Sequence, residues 1–158
     1  MANQKLNFLL VEDDPAHAEA VRRSILAGFP KARVKIAGAL EEYRRLAKTE
    51  RPDLAILDMN LPDGRAMEAL TAPAEEGPFP VIVMTSQGDE KIAVEALKAG
   101  ALDYLVKSPE AFDSMPRTVE RTLENWATLQ DRRQAERSLR QSEERYRTLF
   151  ERLGDYAL

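Results

Sequence analysis

An α/β fold built on a parallel sheet is what this chain predicts, and three observations predict it. Five short apolar runs alternate with helix-patterned segments over the first 107 residues, the order that parallel sheets with crossover helices require. Two of the runs, Leu9–Val11 and Val81–Met84, are apolar without a break, as suits strands covered on both faces. Four of the five runs end in residues able to do chemistry: Glu12-Asp13-Asp14, Asp58, Thr85-Ser86 and Lys107.

The elements follow in order. Strands are expected near Leu6–Val11, Arg33–Ala37, Leu54–Asp58, Val81–Met84 and Asp103–Val106, with helices between them. Asp14-Pro15 reads as an N-cap and first-turn pair for the first helix. Leu61-Pro62-Asp63-Gly64 is a turn directly after Asp58. A third helix is expected before the fourth strand, closed by Ala72-Pro73 and Gly77-Pro78-Phe79-Pro80. Gly100 after Lys98-Ala99 marks a helix stop. The fifth helix is placed at Ser114-Met115-Pro116, with Ser114 as its cap, and no Pro or Gly interrupts it to about Arg152. Val119, Leu123, Trp126 and Leu129 form an early apolar stripe that reads as core packing. Ala135, Leu139, Tyr146, Leu149 and Leu153 form a later one that reads as a coiled-coil seam. A helix across this span would be on the order of 55 Å long, more than a small domain can cover.

Composition bounds the function. The 158 residues carry a formal net charge of −4, which makes nucleic acid an unexpected partner. The chain has no cysteine, so there is no disulfide framework and no thiolate metal site. No apolar run reaches the roughly 20 residues of a membrane span, and the N-terminus lacks a signal-peptide core. A cytoplasmic protein is expected.

The ends of the runs carry the chemistry. In an open parallel sheet the carboxyl ends of the strands lie along one edge, where ligands bind, so these scattered residues can meet. Clustered carboxylates suit a hard divalent cation such as Mg²⁺, which favours phosphate ligands. A lysine and a hydroxyl opposite them suit a phosphoryl group. Phosphoryl transfer to or from a carboxylate is implied. Taken singly, these residues have plainer readings: an acidic run caps a helix, Lys107 is a surface lysine, Tyr104 is packing. Asp89 can cap the helix after Thr85, which leaves Thr85 for the site. His17, the only histidine, reads as a solvent-exposed residue without a part in transfer.

Four motifs in order, Leu-Leu-Val-Glu-Asp-Asp-Pro (9–15), Leu-Asp-Met-Asn-Leu-Pro-Asp-Gly (57–64), Met-Thr-Ser (84–86) and Gly-Ala-Leu-Asp-Tyr-Leu-Val-Lys (100–107), resemble the receiver domain of two-component response regulators. The resemblance covers roughly Lys5 to Leu129. It implies a doubly wound, five-stranded parallel sheet of flavodoxin-like order 2-1-3-4-5, with an extended C-terminal helix added. It implies Asp58 as phosphoacceptor, Asp13 and Asp58 as direct Mg²⁺ ligands, Glu12 acting through water, and the backbone carbonyl of Asn60 completing the metal shell. Thr85 and Lys107 would contact the phosphoryl oxygens, and Tyr104 would move inward as Thr85 is drawn to the phosphate. The implied partner is a histidine kinase or phosphotransfer protein, and the implied activity is Mg²⁺-dependent self-phosphorylation from phosphodonors with autodephosphorylation. One position departs from the family pattern: Ser108 stands directly after Lys107 where the family usually has proline, and Pro109 comes one later. Either the Lys107–Ser108 bond is trans and the loop is changed, or a cis bond is held there at about 2.5–4 kcal/mol.

The run Ala135–Phe150 resembles the helical lead-in to a PAS sensory domain. The division expected is a receiver domain over residues 1–129 and a helical linker, the start of a truncated PAS domain, over 130–158. Three other functions compete. A receiver-like scaffold would dimerise through the C-terminal helix with little dependence on phosphorylation. A haloacid-dehalogenase-type phosphatase needs an acid two residues after its nucleophile, and Asn60 stands there. A flavodoxin needs a hydroxyl-rich phosphate loop after the first strand, where Glu12-Asp13-Asp14 would repel the flavin phosphate.

Overall fold

Five parallel strands form the central sheet of the computed structural model: β1 (Asn7–Val11), β2 (Arg33–Ala37), β3 (Leu54–Asp58), β6 (Val81–Thr85) and β7 (Asp103–Val106), in the order β2-β1-β3-β6-β7. Counting these strands alone, the order is the expected 2-1-3-4-5. A two-residue pair, β4 (Asn60–Leu61) and β5 (Gly64–Arg65), makes a small antiparallel hairpin after β3. The helices are α1 (Pro15–Gly28), α2 (Leu40–Glu50), α3 (Glu90–Ala99), α4 (Pro109–Asp113) and α5 (Met115–Tyr156). The structure describes residues 1–156; Ala157 and Leu158, the end of the expected second segment, lie outside the described residues.

β3 and β6 are buried at every position, and β1 at every position but Asn7, because alternate side chains enter two cores. Leu9, Val11, Ala55, Leu57, Val81 and Val83 pack on one face with Leu40, Tyr43 and Leu46 of α2 and Ala96 of α3. Phe8, Leu10, Leu54, Ile56, Ile82 and Met84 pack on the other with Ala18, Val21 and Ile25 of α1 and Met115 and Val119 of α5. The parallel register, Leu10 beside both Ile36 and Ile56, and Ile56 beside Ile82, keeps each row on its own face. A slip by one residue would exchange the rows. Burial of each Leu or Ile here is worth about 1.5–3 kcal/mol. Close approach matters at Gly28, where any Cβ would strike the ring of Pro116 at the start of α5.

The connection between β5 and β6 departs from expectation. It holds two 3₁₀ turns, Ala66–Ala69 and Ala74–Glu76, in place of the third helix. Pro73, Pro78 and Pro80 remove N–H donors, and each biases the residue before it away from helical backbone, so no turn can propagate. The apolar residues of this stretch still cover the sheet: Ala66 and Phe79 are buried in the first core.

Helix caps follow the sequence at α1 and α3. Asp14 accepts from the N–H groups of Ala16 and His17, and Asp89 accepts from Lys91. The expectation for Ser114 is corrected: its hydroxyl donates to the Ala111 carbonyl at the end of α4. The early stripe of α5 is core only at its start, since Val119 is buried and Leu123 packs beside it, whereas Trp126 and Leu129 are half-buried.

The chain divides into two units, Met1–Trp126 and Ala127–Leu158, three residues from the expected division. Over its described residues the second unit is the remainder of α5. Its Leu139, Tyr146, Leu149, Phe150 and Leu153 are all exposed. Among the described residues no helix is long and apolar enough to cross a membrane.

Candidate functional site at the strand ends

Each chemistry-bearing residue stands where a strand ends, and the hydrogen-bond ladder carries on just far enough to fix it. Glu12 donates its N–H to the Ala37 carbonyl at 2.9 Å, Met59 (after Asp58) donates to Met84 at 2.7 Å, and Lys107 donates to Thr85 at 2.7 Å. These bonds tie β1 to β2, and β3 and β7 to β6, at the point where the polar side chains emerge. Beyond it the hairpin β4–β5 turns the chain away from the site after Asn60.

Lys107 is the hub. Its Nζ lies 2.9 Å from Asp58 Oδ2 and 2.6 Å from Glu12 Oε2. Glu12 and Asp58 are buried, with 3% and 7% of their surface exposed, whereas Asp13 is exposed. One carboxylate oxygen from each of Glu12, Asp13 and Asp58 can be chosen so that all three lie within 4.8 Å of one another. Three carboxylates therefore face one ammonium. Burial pushes the Glu12 carboxyl above its usual value and the Asp58 charge adds to this, against the opposing pull of Lys107 and the Asp14 N–H. For Lys107, burial works against the charge, but hydrogen bonds to Glu12 and Asp58 outweigh it and hold the ammonium above its usual value. An excess of oxygen ligands and negative charge in a half-buried recess is the donor set of a hard divalent cation. Glu12, Asp13 and Asp58 fit Mg²⁺ on that ground.

The remaining expected residues lie close by. Thr85 is buried on the strand beside β3, and its hydroxyl accepts from the Gln87 N–H at 3.3 Å. Asp89 caps α3, so Thr85 is free of that duty. Tyr104 packs against the first core, and its hydroxyl donates to the Gln87 carbonyl at 3.1 Å. Thr85 and Tyr104 thus hold the same residue from its two backbone ends. Asn60 is exposed and donates its N–H to Asp58 Oδ1 at 3.4 Å.

His17 differs from expectation. It is half-buried, its ring lying 5.9 Å from that of Phe112 in α4 and its Nδ1 3.7 Å from Asp14 Oδ2.

Ser108 resolves the open alternative. The Lys107–Ser108 bond is trans, and the Ser108 Oγ accepts from the Ala111 N–H at 3.0 Å to cap α4, with Pro109 in the first turn. The signal was present, since Ser108-Pro109 repeats the grammar of Asp14-Pro15. Two further residues carry weight that single-residue reading misses. Asp63, in the hairpin turn, accepts from the N–H groups of Leu40 and Glu41 and so caps α2 from 22 and 23 residues away. Asp103 pairs with Arg121 at 2.6 Å and ties β7 to α5. Neither long-range pairing has a local sequence signature.

A five-stranded doubly wound sheet with an acid cluster and a lysine at its carboxyl edge defines a phosphate-handling α/β domain. The response regulator receiver domain family matches residues 8–119, and the chain belongs to that family. It is 38% identical over 131 residues to the methanogenesis regulatory protein FilR1 of Methanothrix harundinacea, covering 80% of this chain and 29% of that protein. It is 35% identical over 117 residues to the acid tolerance regulatory protein ActR of Rhizobium meliloti, covering 73% of this chain and 59% of that one. The chain thus spans only part of the length of these relatives. In fold it is similar to a CheY-like response regulator receiver domain protein from Methanospirillum hungatei, with a TM-score of 0.66 at 24% identity, over 79% of this chain and 98% of that one. Receiver domains take a phosphoryl group on an acceptor site, bind Mg²⁺ at an acidic pocket, and interact with histidine kinases or phosphotransfer proteins.

Proposed function

We propose that Asp58 is the phosphoacceptor of this chain. The supporting observation is the convergence on one carboxylate of Lys107 at 2.9 Å and of the Glu12–Asp13 pair. The donor is the phosphohistidine of a cytoplasmic histidine kinase or phosphotransfer protein. An Asp58 carboxylate oxygen attacks phosphorus, the P–N bond breaks, and the imidazole leaves with the electron pair. Lys107 Nζ follows the phosphoryl oxygens as a point charge on a flexible stem, and Thr85 donates its hydroxyl. Glu12, Asp13, Asp58 and the Asn60 carbonyl would hold Mg²⁺, Glu12 through water, and the ion supplies neutralisation of phosphoryl charge. Leaving Gln87 for the phosphoryl group, Thr85 loosens the turn that Tyr104 also holds, and the Tyr104 ring turns inward. The change passes along α5 toward an output domain for which residues 135–150 are the PAS-type lead-in.

Intact mass after incubation with acetyl phosphate and Mg²⁺ tests this reading. The wild type gains one phosphoryl group, labile at alkaline pH, and Asp58→Asn gains none. Equal labile labelling of Asp58→Asn overturns the assignment.

A second reading, a scaffold that dimerises through α5 whether or not it is phosphorylated, is favoured by the exposed Leu139, Tyr146, Leu149, Phe150 and Leu153. A dimer constant unchanged by acetyl phosphate and Mg²⁺ would support it.

A further inference from the structure

The two 3₁₀ turns that replace the expected helix leave a cavity of about 370 Å³ on the α2 side of the sheet. That volume lies within the ordinary range of small-molecule sites, about 300–1,000 Å³. Its walls come from four sources: α2 (Tyr43, Ala47), the 3₁₀ segment (Leu70, Phe79), the first residue of β6, Val81, and Gly100 at the end of α3. The walls are therefore mostly apolar and include two aromatic rings. The 3₁₀ segment is not loosely draped. The Thr71 carbonyl sits so close over Gly100, which has φ +121°, that any Cβ there would collide with it. The chain is held against α3's end, and the space beneath it is a built feature of the fold.

Polar character is confined and of one sign. Arg44 and Lys48 are the only charged residues lining the cavity. They lie four apart on α2, hence one above the other on a single face, and both are exposed at its mouth. Tyr43, mostly buried, has its phenol pushed up to about 12 by burial, so its hydroxyl stays protonated and can donate. An apolar pocket with a few convergent polar groups is the usual form of a ligand site.

We propose that this cavity binds a small organic anion with an apolar body, an aryl or short-chain carboxylate. The carboxylate lies between the Arg44 guanidinium and the Lys48 ammonium, which suit it as fork and point charge. The apolar body enters against Leu70, Phe79 and Val81, and the Tyr43 hydroxyl meets any polar atom along it. A peptide partner is less favoured, because a volume of about 370 Å³ has room for a small molecule or one side chain rather than a helix face. This site is separate from the strand-end acids: Val81 begins the strand that Thr85 ends, four residues on, roughly 13 Å away at strand rise.

Amide NMR of the full chain titrated with 4-phenylbutyrate, and in parallel with the neutral 4-phenylbutan-1-ol, tests it. The expected result is saturable shifts at Ala47, Leu70 and Val81, with the alcohol weaker by about tenfold or more. Arg44→Ala with Lys48→Ala, both on exposed side chains, should weaken the acid by a similar factor and leave the alcohol unchanged. Ala47→Leu should abolish both by filling the space. Absence of saturable shifts, equal affinity for acid and alcohol, or shifts confined to residues 12, 58 and 107 overturns the proposal. So does insensitivity to all three substitutions. Acetyl phosphate labelling of Asp58 in the same samples reads the strand-end site separately.

Discussion

The two units of this chain use apolar residues in opposite ways. In Met1–Trp126 they point inward from both faces of a sheet, and Leu10, Ile56 and Met84 have no exposed surface. In residues 139–153 they recur along a helix yet stay in water, with Tyr146 63% and Phe150 68% exposed. The first unit covers most of its large apolar side chains and leaves only a few, Ile36, Val94, Leu97 and Val106 among them, in water. The second presents an exposed stripe, and large apolar side chains on a helix gain nothing until they are covered. Helicity in the second unit therefore depends on context in a way that the sheet does not.

The largest effect expected from that contrast is on stability. Ile56→Ala should cost the first unit about 2–5 kcal/mol in urea unfolding, through lost burial and a cavity in the second core. Leu149→Ala should leave the same transition in place. If the two substitutions cost alike, the contrast between the units is wrong. Next comes association. By sedimentation over a range of concentrations, the full chain should self-associate more tightly than a chain ending at Leu129, and Leu149→Glu with Phe150→Glu should weaken it by about tenfold or more. Equally monomeric species would mean that the stripe meets something other than a second copy.

Ligand linkage gives a smaller, sharper signal in the first unit alone. Millimolar Mg²⁺ should raise its melting temperature by about 2–6 °C, because an ion bound only by the folded state stabilises by mass action. Asp13→Asn should blunt the rise. No rise in the wild type would count against Glu12, Asp13 and Asp58 as an ion site. Smallest is the surface cluster of Glu19, Arg22 and Arg23 on α1. Glu19 is held down to about 2 by hydrogen bonds from Arg22 and Arg23. Its folded pKa is lower than its unfolded one, so its contribution is present above the unfolded value and lost as pH falls toward 2. Both partners are solvent-exposed, so Glu19→Gln should shift the melting temperature by only about 1 °C at neutral pH, and less at high salt.

Much of the first unit was legible because its signals are local and mutually consistent. Unbroken apolar runs predicted doubly covered strands, and Asp14-Pro15 and Gly100 marked a helix start and a helix stop. The strand-end acids and Lys107 could be placed together because parallel topology leaves them a single edge. Besides the long-range pairings of Asp63 and Asp103, three things were not legible. The third helix was expected from alternation alone, and the spacing of Pro73, Pro78 and Pro80 prevailed over it. Ser114 looked like a cap by residue type, but the turn of α4 immediately before it took its hydroxyl first. His17 was read as exposed because it stands beside acids on the first helix; Phe112 reaches it only through the fold. The stripe of α5 was legible as a pattern, and the structure leaves its Leu139, Tyr146, Leu149 and Leu153 exposed.

The bond from Asp63 to the start of α2 bears on how this protein can change over evolutionary time. Loops usually tolerate insertion and deletion. Between Asp58 and Asp63, however, the chain has a fixed length to keep. The residue at one end belongs to the strand-end cluster, and the one at the other supplies both hydrogen bonds that α2's own N-cap, Ala39, cannot make. One added residue would carry Asp63 off the helix while leaving Asp58 in place. The segment 58–63 should therefore vary among descendants in the identity of its exposed residues and hardly at all in their number.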